Sequence, residues 1–221
     1  MQRQPNFGLI VAAGRGTRFG GPKQFASLGG RPLVEWSLLE FEHCPRISGY
    51  VLVTRPGDVP RARRLAKRLR LCRLMAVVPG GKERADSVRL GLAALPPEGY
   101  VAVHDAARPF VTSEMLERGF RLCRLSGAAT FASPVYDTLK KVRDGRIVST
   151  IPRESVFAVQ TPQFFSLATL RAAHARARGR KLTDDCAAVE LSGVRPAVIF
   201  SQKPNPKVTT RADLAFIKAL L

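Results

Sequence analysis

Alternation constrains this chain more than any other feature. Short apolar runs of strand length trade places with segments whose apolar residues recur at helical spacing. Phe7 to Ala12 reads as a first strand. Across Leu33 to Phe41, Val34, Leu38 and Phe41 share one helix face. Tyr50 to Thr54 is a second strand, followed by a basic helix and by a third strand, Leu74 to Val78. Val88, Leu92 and Leu95 mark a helix, Tyr100 to His104 a strand, Leu116, Phe120 and Cys123 a helix, and Ala128 to Ser133 a strand. Repeated β-α-β order predicts an α/β fold with one doubly wound, mostly parallel, Rossmann-like sheet. A chain of 221 residues, 45% hydrophobic, is long enough to bury the core of one such domain spanning 1–221.

The rhythm breaks once. Thr138 to Val142 and Ile147 to Thr150 flank Arg143-Asp144-Gly145-Arg146, a hairpin that turns at Asp-Gly. We read 136–154 as an arm or lid inserted into the domain. Val156 to Gln160 then reads as a strand, followed by helices from Ser166 and Thr183, a strand at Ala197 to Ser201, and a last helix capped by Thr210 with Asp213.

Several classes are disfavoured. No run of 18 uncharged apolar residues predicts a membrane span. The stretch from Met1 to Asn6 lacks the apolar core of a signal peptide. Cys44, Cys72, Cys123 and Cys186 are widely spaced, as in a reduced cytoplasmic protein. The formal charge of +19 invites a nucleic-acid partner, but much of it sits in Arg61 to Arg70 and Arg171 to Lys181. In the first of these Val59, Ala62, Leu65, Ala66 and Leu69 form an apolar stripe and the cations cover the other faces. That is the pattern of a solvated helix face rather than of a nucleic-acid site.

Loops that follow parallel strands gather at the sheet's C-terminal edge, where ligands bind. Three candidates converge there: Ala13 to Lys23, Gly80 to Ser87, and Asp105 to Pro109. In the first, Gly14 and Gly16 let backbone amides approach phosphate oxygens, and Arg18 and Lys23 supply charge. The loop fits neither the Walker A pattern nor the dinucleotide fingerprint. In the second, Gly81 and Ser87 could face a base or sugar, or Ser87 and Asp86 could be first-turn helix residues. In the third, Asp105 at a strand end could hold Mg²⁺, Arg108 could fork onto a phosphate, and His104 reads as a packed core residue. Asp184 and Asp185 read as acidic first-turn residues that complement a helix dipole.

Taken in order, Ala12-Ala13-Gly14-x-Gly16-x-Arg18, Pro22-Lys23-Gln24, Glu83-Arg84-Ala85-Asp86-Ser87-Val88, His104-Asp105-Ala106-Ala107-Arg108-Pro109, Asp137-Thr138, Gln160-Thr161-Pro162-Gln163-Phe164-Phe165 and Lys207-Val208-Thr209 resemble the 2-C-methyl-D-erythritol 4-phosphate cytidylyltransferases of the non-mevalonate isoprenoid pathway. The resemblance implies a nucleotidyltransferase fold and the reaction of CTP with methylerythritol 4-phosphate, with release of pyrophosphate. It makes Arg18, Lys23 and Lys207 cations on the CTP phosphates, and sets Asp105 beside Mg²⁺ and the acceptor phosphate. It assigns Ala12, Ala13, Gly14, Gly16, Gly81 and Ser87 to the nucleotide, and Arg108, Thr138, Arg153 and Thr161 to the acceptor. It also makes the hairpin a dimerisation arm, so that Thr138 and Arg153 serve the partner's site in a homodimer. Lys82 departs from the pattern, because some members carry an acidic residue there. A related enzyme acting on another polyol phosphate, such as ribitol 5-phosphate, is the nearest alternative, and a nucleic-acid-binding relative without catalysis is a remote one. No fused second enzyme of the pathway is expected.

Overall fold

The computed structural model describes residues 4–221, so the reading of Met1 to Arg3 as part of a leaderless N-terminus lies outside the described residues. The strands are β1 (Asn6–Ala12), β2 (Ser27–Leu28), β3 (Arg31–Pro32), β4 (Gly49–Thr54), β5 (Leu74–Pro79), β6 (Tyr100–Asp105), β7 (Ala128–Pro134), β8 (Leu139–Arg143), β9 (Arg146–Ile151), β10 (Phe157–Ser166) and β11 (Ala197–Phe200). The helices are α1 (Leu33–His43), α2 (Val59–Arg68), α3 (Arg84–Ala93), α4 (Ser113–Ser126), α5 (Leu167–Arg176), α6 (Asp185–Glu190) and α7 (Arg211–Lys218).

Seven strands form one sheet in the order β11-β7-β10-β6-β1-β4-β5. Every pairing is parallel except those of β10, which runs antiparallel to β6 and β7. The expected mostly parallel sheet is present, with one correction. The short strand read at Val156 to Gln160 continues to Ser166 and points the other way. The β8–β9 hairpin leaves β7 at the sheet's C-terminal edge and returns to it, so the next strand has to run back. A register shift between Val159 and Gln163 surrounds Pro162, which has no N–H for the ladder.

Side-chain alternation splits the core into two layers. Ile10, Tyr50, Leu52 and Ala102 face Val34, Leu38 and Phe41 of α1, Ala62 and Leu65 of α2, and Leu116, Phe120 and Cys123 of α4. Leu9, Val51, Val53, Val101 and Val103 face Val88 and Leu92 of α3, Leu170 and Ala173 of α5, and Val189 of α6. Gly8 is required between them, because a Cβ there would lie 2.3 Å from the Phe41 ring.

Register aligns the strand ends that open into the site. Val11 pairs with Asp105, Ala12 with Thr54, and Thr54 with Pro79. The chain turns one way from β1 to β4 and β5, and later the other way to β6. That reversal opens a crevice beside β1, where ligands bind in doubly wound sheets. The predicted cap of α7 is present: Thr210 accepts from the Asp213 N–H, and Asp213 accepts from the Thr210 N–H.

Candidate active site

The three expected loops converge. A cavity of about 770 Å³ opens at the C-terminal edge, lined by Ala12, Ala13, Gly14, Lys23, Gly81, Ser87, Asp105 and Lys207 from the predicted set. Arg15, Gln24, Arg55, Lys82, Glu83 and Arg84 join them.

The first loop is built by its glycines. Gly16 has φ of 67°, and its carbonyl accepts from the amides of Phe19, Gly20 and Gly21. A Cβ on Gly16 would sit 2.0 Å from the Gly21 carbonyl oxygen. The buried Gln24 amide donates to the carbonyls of Ala12 and Gly14 and holds the loop's entry. Lys23 Nζ donates to the Val208 carbonyl at 2.5 Å, which ties this loop to the C-terminal one. Arg18 stands exposed on the single turn Thr17–Phe19, outside the cavity lining.

The second loop turns into α3 through a capping box of Glu83 and Asp86. Ser87 Oγ accepts from the Gly81 N–H at 3.2 Å and donates to the Glu83 carbonyl at 3.1 Å. A Cβ at Gly81 would lie 2.3 Å from that of Asp86, so the turn closes only around glycine.

Asp105 is the centre of charge. Its Oδ1 accepts from Arg84 Nε at 3.0 Å and its Oδ2 from Lys207 Nζ at 2.5 Å. Burial alone would raise its carboxyl, but Arg84 and then Lys207 hold it well below the usual carboxylate range. Burial lowers the Lys23 ammonium, the nearby Lys207 lowers it further, and Arg18 adds to the same effect. Phosphate oxygens placed among these cations would reverse that repulsion.

The remaining predicted residues divide. Thr161 is buried: its hydroxyl accepts from the Asp105 N–H at 3.0 Å and lies 3.3 Å from His104 Nδ1. In this chain it braces Asp105 and does not line the cavity. His104 Nε2 lies 3.0 Å from the Arg108 carbonyl. Burial lowers His104 to about 4, as suits a packed neutral imidazole. Arg108 Nη1 donates to the Asn205 carbonyl at 2.5 Å, also outside the lining. Thr138 precedes the hairpin and Arg153 follows it; both are exposed and away from their own chain's cavity. Arg153 donates to the Tyr136 carbonyl, which closes the base of the arm.

Sequence reasoning missed three things. Arg55, from the loop after β4, lines the cavity; the rule that found the other loops, strand ends at one edge, also applies to it. Arg84 was part of a motif but had no role. Asp185 does stand in the first turn of α6, as read, but it has a second role that its local sequence does not show. It is fully buried and paired with Arg84 at 2.7 Å and His174 at 2.9 Å, while Asp184 caps α6 through the Ala187 N–H.

Among the described residues no group of three or more His, Cys, Asp or Glu side chains could hold a metal ion. Mg²⁺ nevertheless is commonly bound by one or two carboxylates plus substrate phosphates. Asp105 fits that mode, since each of its oxygens keeps a lone pair beyond the one its cation occupies.

A glycine-rich loop, converging cations and one buried carboxylate at the switch point of a mostly parallel sheet define a nucleotidyltransferase, which aligns phosphates and absorbs their charge. Residues 7–221 match the family described as IspD: 2-C-methyl-D-erythritol 4-phosphate cytidylyltransferase. The chain belongs to that family. It is 39% identical to the 2-C-methyl-D-erythritol 4-phosphate cytidylyltransferase of Halalkalibacterium halodurans over 217 residues, 96% of this chain and 95% of the relative. It is 45% identical over 219 residues to the bifunctional enzyme IspD/IspF of Desulforudis audaxviator, covering 96% of this chain but only 56% of that longer protein. The crystal structure of 2-C-methyl-D-erythritol 4-phosphate cytidylyltransferase from Thermus thermophilus superposes with a TM-score of 0.80 at 34% identity, covering 96% of each chain.

Proposed function

We infer that the protein transfers the cytidylyl group of CTP to 2-C-methyl-D-erythritol 4-phosphate. An oxygen of the acceptor's phosphate attacks the α-phosphorus of CTP. The bond from that phosphorus to the β-phosphate's bridging oxygen breaks, and pyrophosphate leaves. The substrates supply both nucleophile and leaving group, so the protein's part is alignment and charge stabilisation. The observation that carries this reading is the convergence of Lys23, Lys207 and Arg84 around Asp105 in a cavity that Gly81 and Ser87 also line.

In this reading Lys23 and Lys207 bind the triphosphate, Arg18 swings in from the rim, and the amides of Ala13, Gly14 and Gly16 approach the phosphates. Ala12, Gly81 and Ser87 shape the cytidine end. Asp105 orients Lys207 and provides the protein's carboxylate for Mg²⁺, which when bound would neutralise phosphate charge. Arg108 and Thr161 flank the acceptor from behind Asp105.

The protein acts as a homodimer in the cytoplasm, as one domain with an inserted arm. The β8–β9 hairpin forms a two-stranded sheet of its own, and residues 140–151 are all exposed, including Val142, Ile147 and Val148. An isolated hairpin is marginal in water, so a second copy packed against it supplies the missing burial. That packing brings Thr138 and Arg153 to the neighbour's acceptor pocket. No helix among the described residues is long and apolar enough to cross a membrane.

The test is pyrophosphate release from CTP and Mg²⁺ with methylerythritol 4-phosphate or ribitol 5-phosphate as acceptor. Turnover with the first alone is expected. Turnover with ribitol phosphate alone would reassign the acceptor, and turnover with neither would overturn the reading.

A further inference from the structure

A line of charges enters the cavity from the α5–α6 side of the sheet, and its far end, which is buried, has no part in the reaction described above. His174 Nε2 on α5 lies 2.9 Å from Asp185 Oδ1 on α6. Arg84 Nη1 donates to Asp185 Oδ2 at 2.7 Å and Arg84 Nε to Asp105 Oδ1 at 3.0 Å. Lys207 then completes Asp105 at Oδ2, 2.5 Å away. Asp185 is wholly buried and His174 is 2% exposed. We propose that Asp185, braced by His174, is a positioning residue that turns Arg84 so that Asp105 is shared with Lys207. This rests on the reading of Asp105 and Lys207 as active-site residues.

The geometry of the guanidinium carries the argument. An arginine beside a single carboxylate frequently forks onto both oxygens with two parallel N–H bonds. Arg84 does not. Its Nη2, on the same edge as Nε, is buried without a hydrogen-bond partner. The second oxygen of Asp105 goes to Lys207 instead. Asp185 explains the difference, because it draws the opposite end of the guanidinium and takes up part of its charge.

Asp185 is itself held rigidly. Gln163 of β10 accepts from the Asp185 N–H at 3.1 Å and from the Cys186 N–H at 3.3 Å. His174 has no other hydrogen bond, since its Nδ1 is buried without a partner. Without the Asp185 charge, the half-buried Arg84 has only Asp105 as an ion-pair partner. It would fork onto both Asp105 oxygens and displace Lys207.

The test combines pyrophosphate release, CTP affinity by calorimetry and thermal unfolding for Asp185→Asn, Arg84→Met, the double variant, Asp105→Asn, His174→Gln and His174→Leu. Asparagine keeps the volume of Asp185 but removes its charge. Asp185→Asn is expected to lower kcat by roughly 10- to 100-fold, with CTP affinity changed by less than about threefold. In the Arg84→Met background the same change should cost less than about twofold, because a residue acting through Arg84 has nothing left to position. A folded Asp185→Asn with unchanged kcat, or a loss that multiplies in full onto Arg84→Met, would overturn the proposal.

If Asp185→Asn does not fold, the histidine pair decides. Glutamine can still donate to Asp185 and should keep kcat within about threefold, while leucine should lose clearly more. Equal kcat in the two variants would overturn the proposal. Unchanged kcat in Asp105→Asn would instead overturn the reading of the site on which the proposal rests.

Discussion

Lys23 shows how one side chain joins fold and chemistry. Its ammonium bonds the Val208 carbonyl and faces the cavity with its pKa lowered by burial and by Lys207. A cation held under repulsion is poised for an anion. We expect Lys23→Ala to cut turnover by at least ~10²-fold in a folded protein, the scale of losing a transition-state charge contact. Steady-state kinetics with circular dichroism checks this, and near-normal turnover would remove Lys23 from the mechanism. The candidacy of Lys23, Lys207 and Asp105 was legible from residue type and motif. Thr161 was legible as a motif residue, but the direction of its hydroxyl was not. Only packing shows that it accepts from the Asp105 amide.

At the scale of elements, the hairpin is the part that its own chain leaves uncovered. Deleting 139–151 and joining the ends with a short glycine linker should give a monomer by light scattering. That monomer should retain CTP binding and lose turnover, because no residue of 139–151 lines the cavity of its own chain. A dimer after the deletion would show that the arm is not the interface. Arg153→Ala should raise KM for the sugar-alcohol phosphate at least tenfold more than KM for CTP. Equal effects on both would contradict its place in the acceptor pocket. The hairpin itself was legible from Asp144-Gly145, because a two-residue turn is a local signal. The reversal of β10 was not, since an apolar run carries no mark of strand direction.

At the scale of the whole molecule, stability should depend on pH through groups buried in the centre. Burial lowers His104 from 6.5 to about 4. Between those values the unfolded chain takes up a proton that the folded protein refuses. Stability therefore falls as pH drops from 6.5 towards 4, by on the order of 3 kcal/mol for this one group. Asp105 and Asp185 act in a lower window. Burial opposes their ionised forms, but Arg84 outweighs it, helped by Lys207 for Asp105 and His174 for Asp185, and both carboxyls end below their ordinary value of 3.8. Their stabilisation is complete above that value and is lost only as pH falls beneath it. Urea unfolding at several pH values between 7 and 4 measures the first slope, and His104→Asn should flatten it. A flat profile in the unmodified protein would contradict a neutral buried His104.

What the sequence by itself determined was whatever rests on neighbours along the chain: the β-α rhythm, the glycine-rich loop, the Thr210–Asp213 cap and the gathering of strand-end loops at one edge. Hydrophobic period, turn chemistry and capping act over a few residues, so a linear reading captures them. Tertiary structure alone decided which charges meet. Arg84 and Asp185 are 101 positions apart, and Lys207 and Asp105 are 102 apart. Asp185 in particular has the local sequence of a helix-start residue. It becomes part of a buried ion network only because α6 packs beside α5 and Gln163 pins its first turn. A burial-driven fold selects such pairs by where it leaves charges without water, and no local pattern records that.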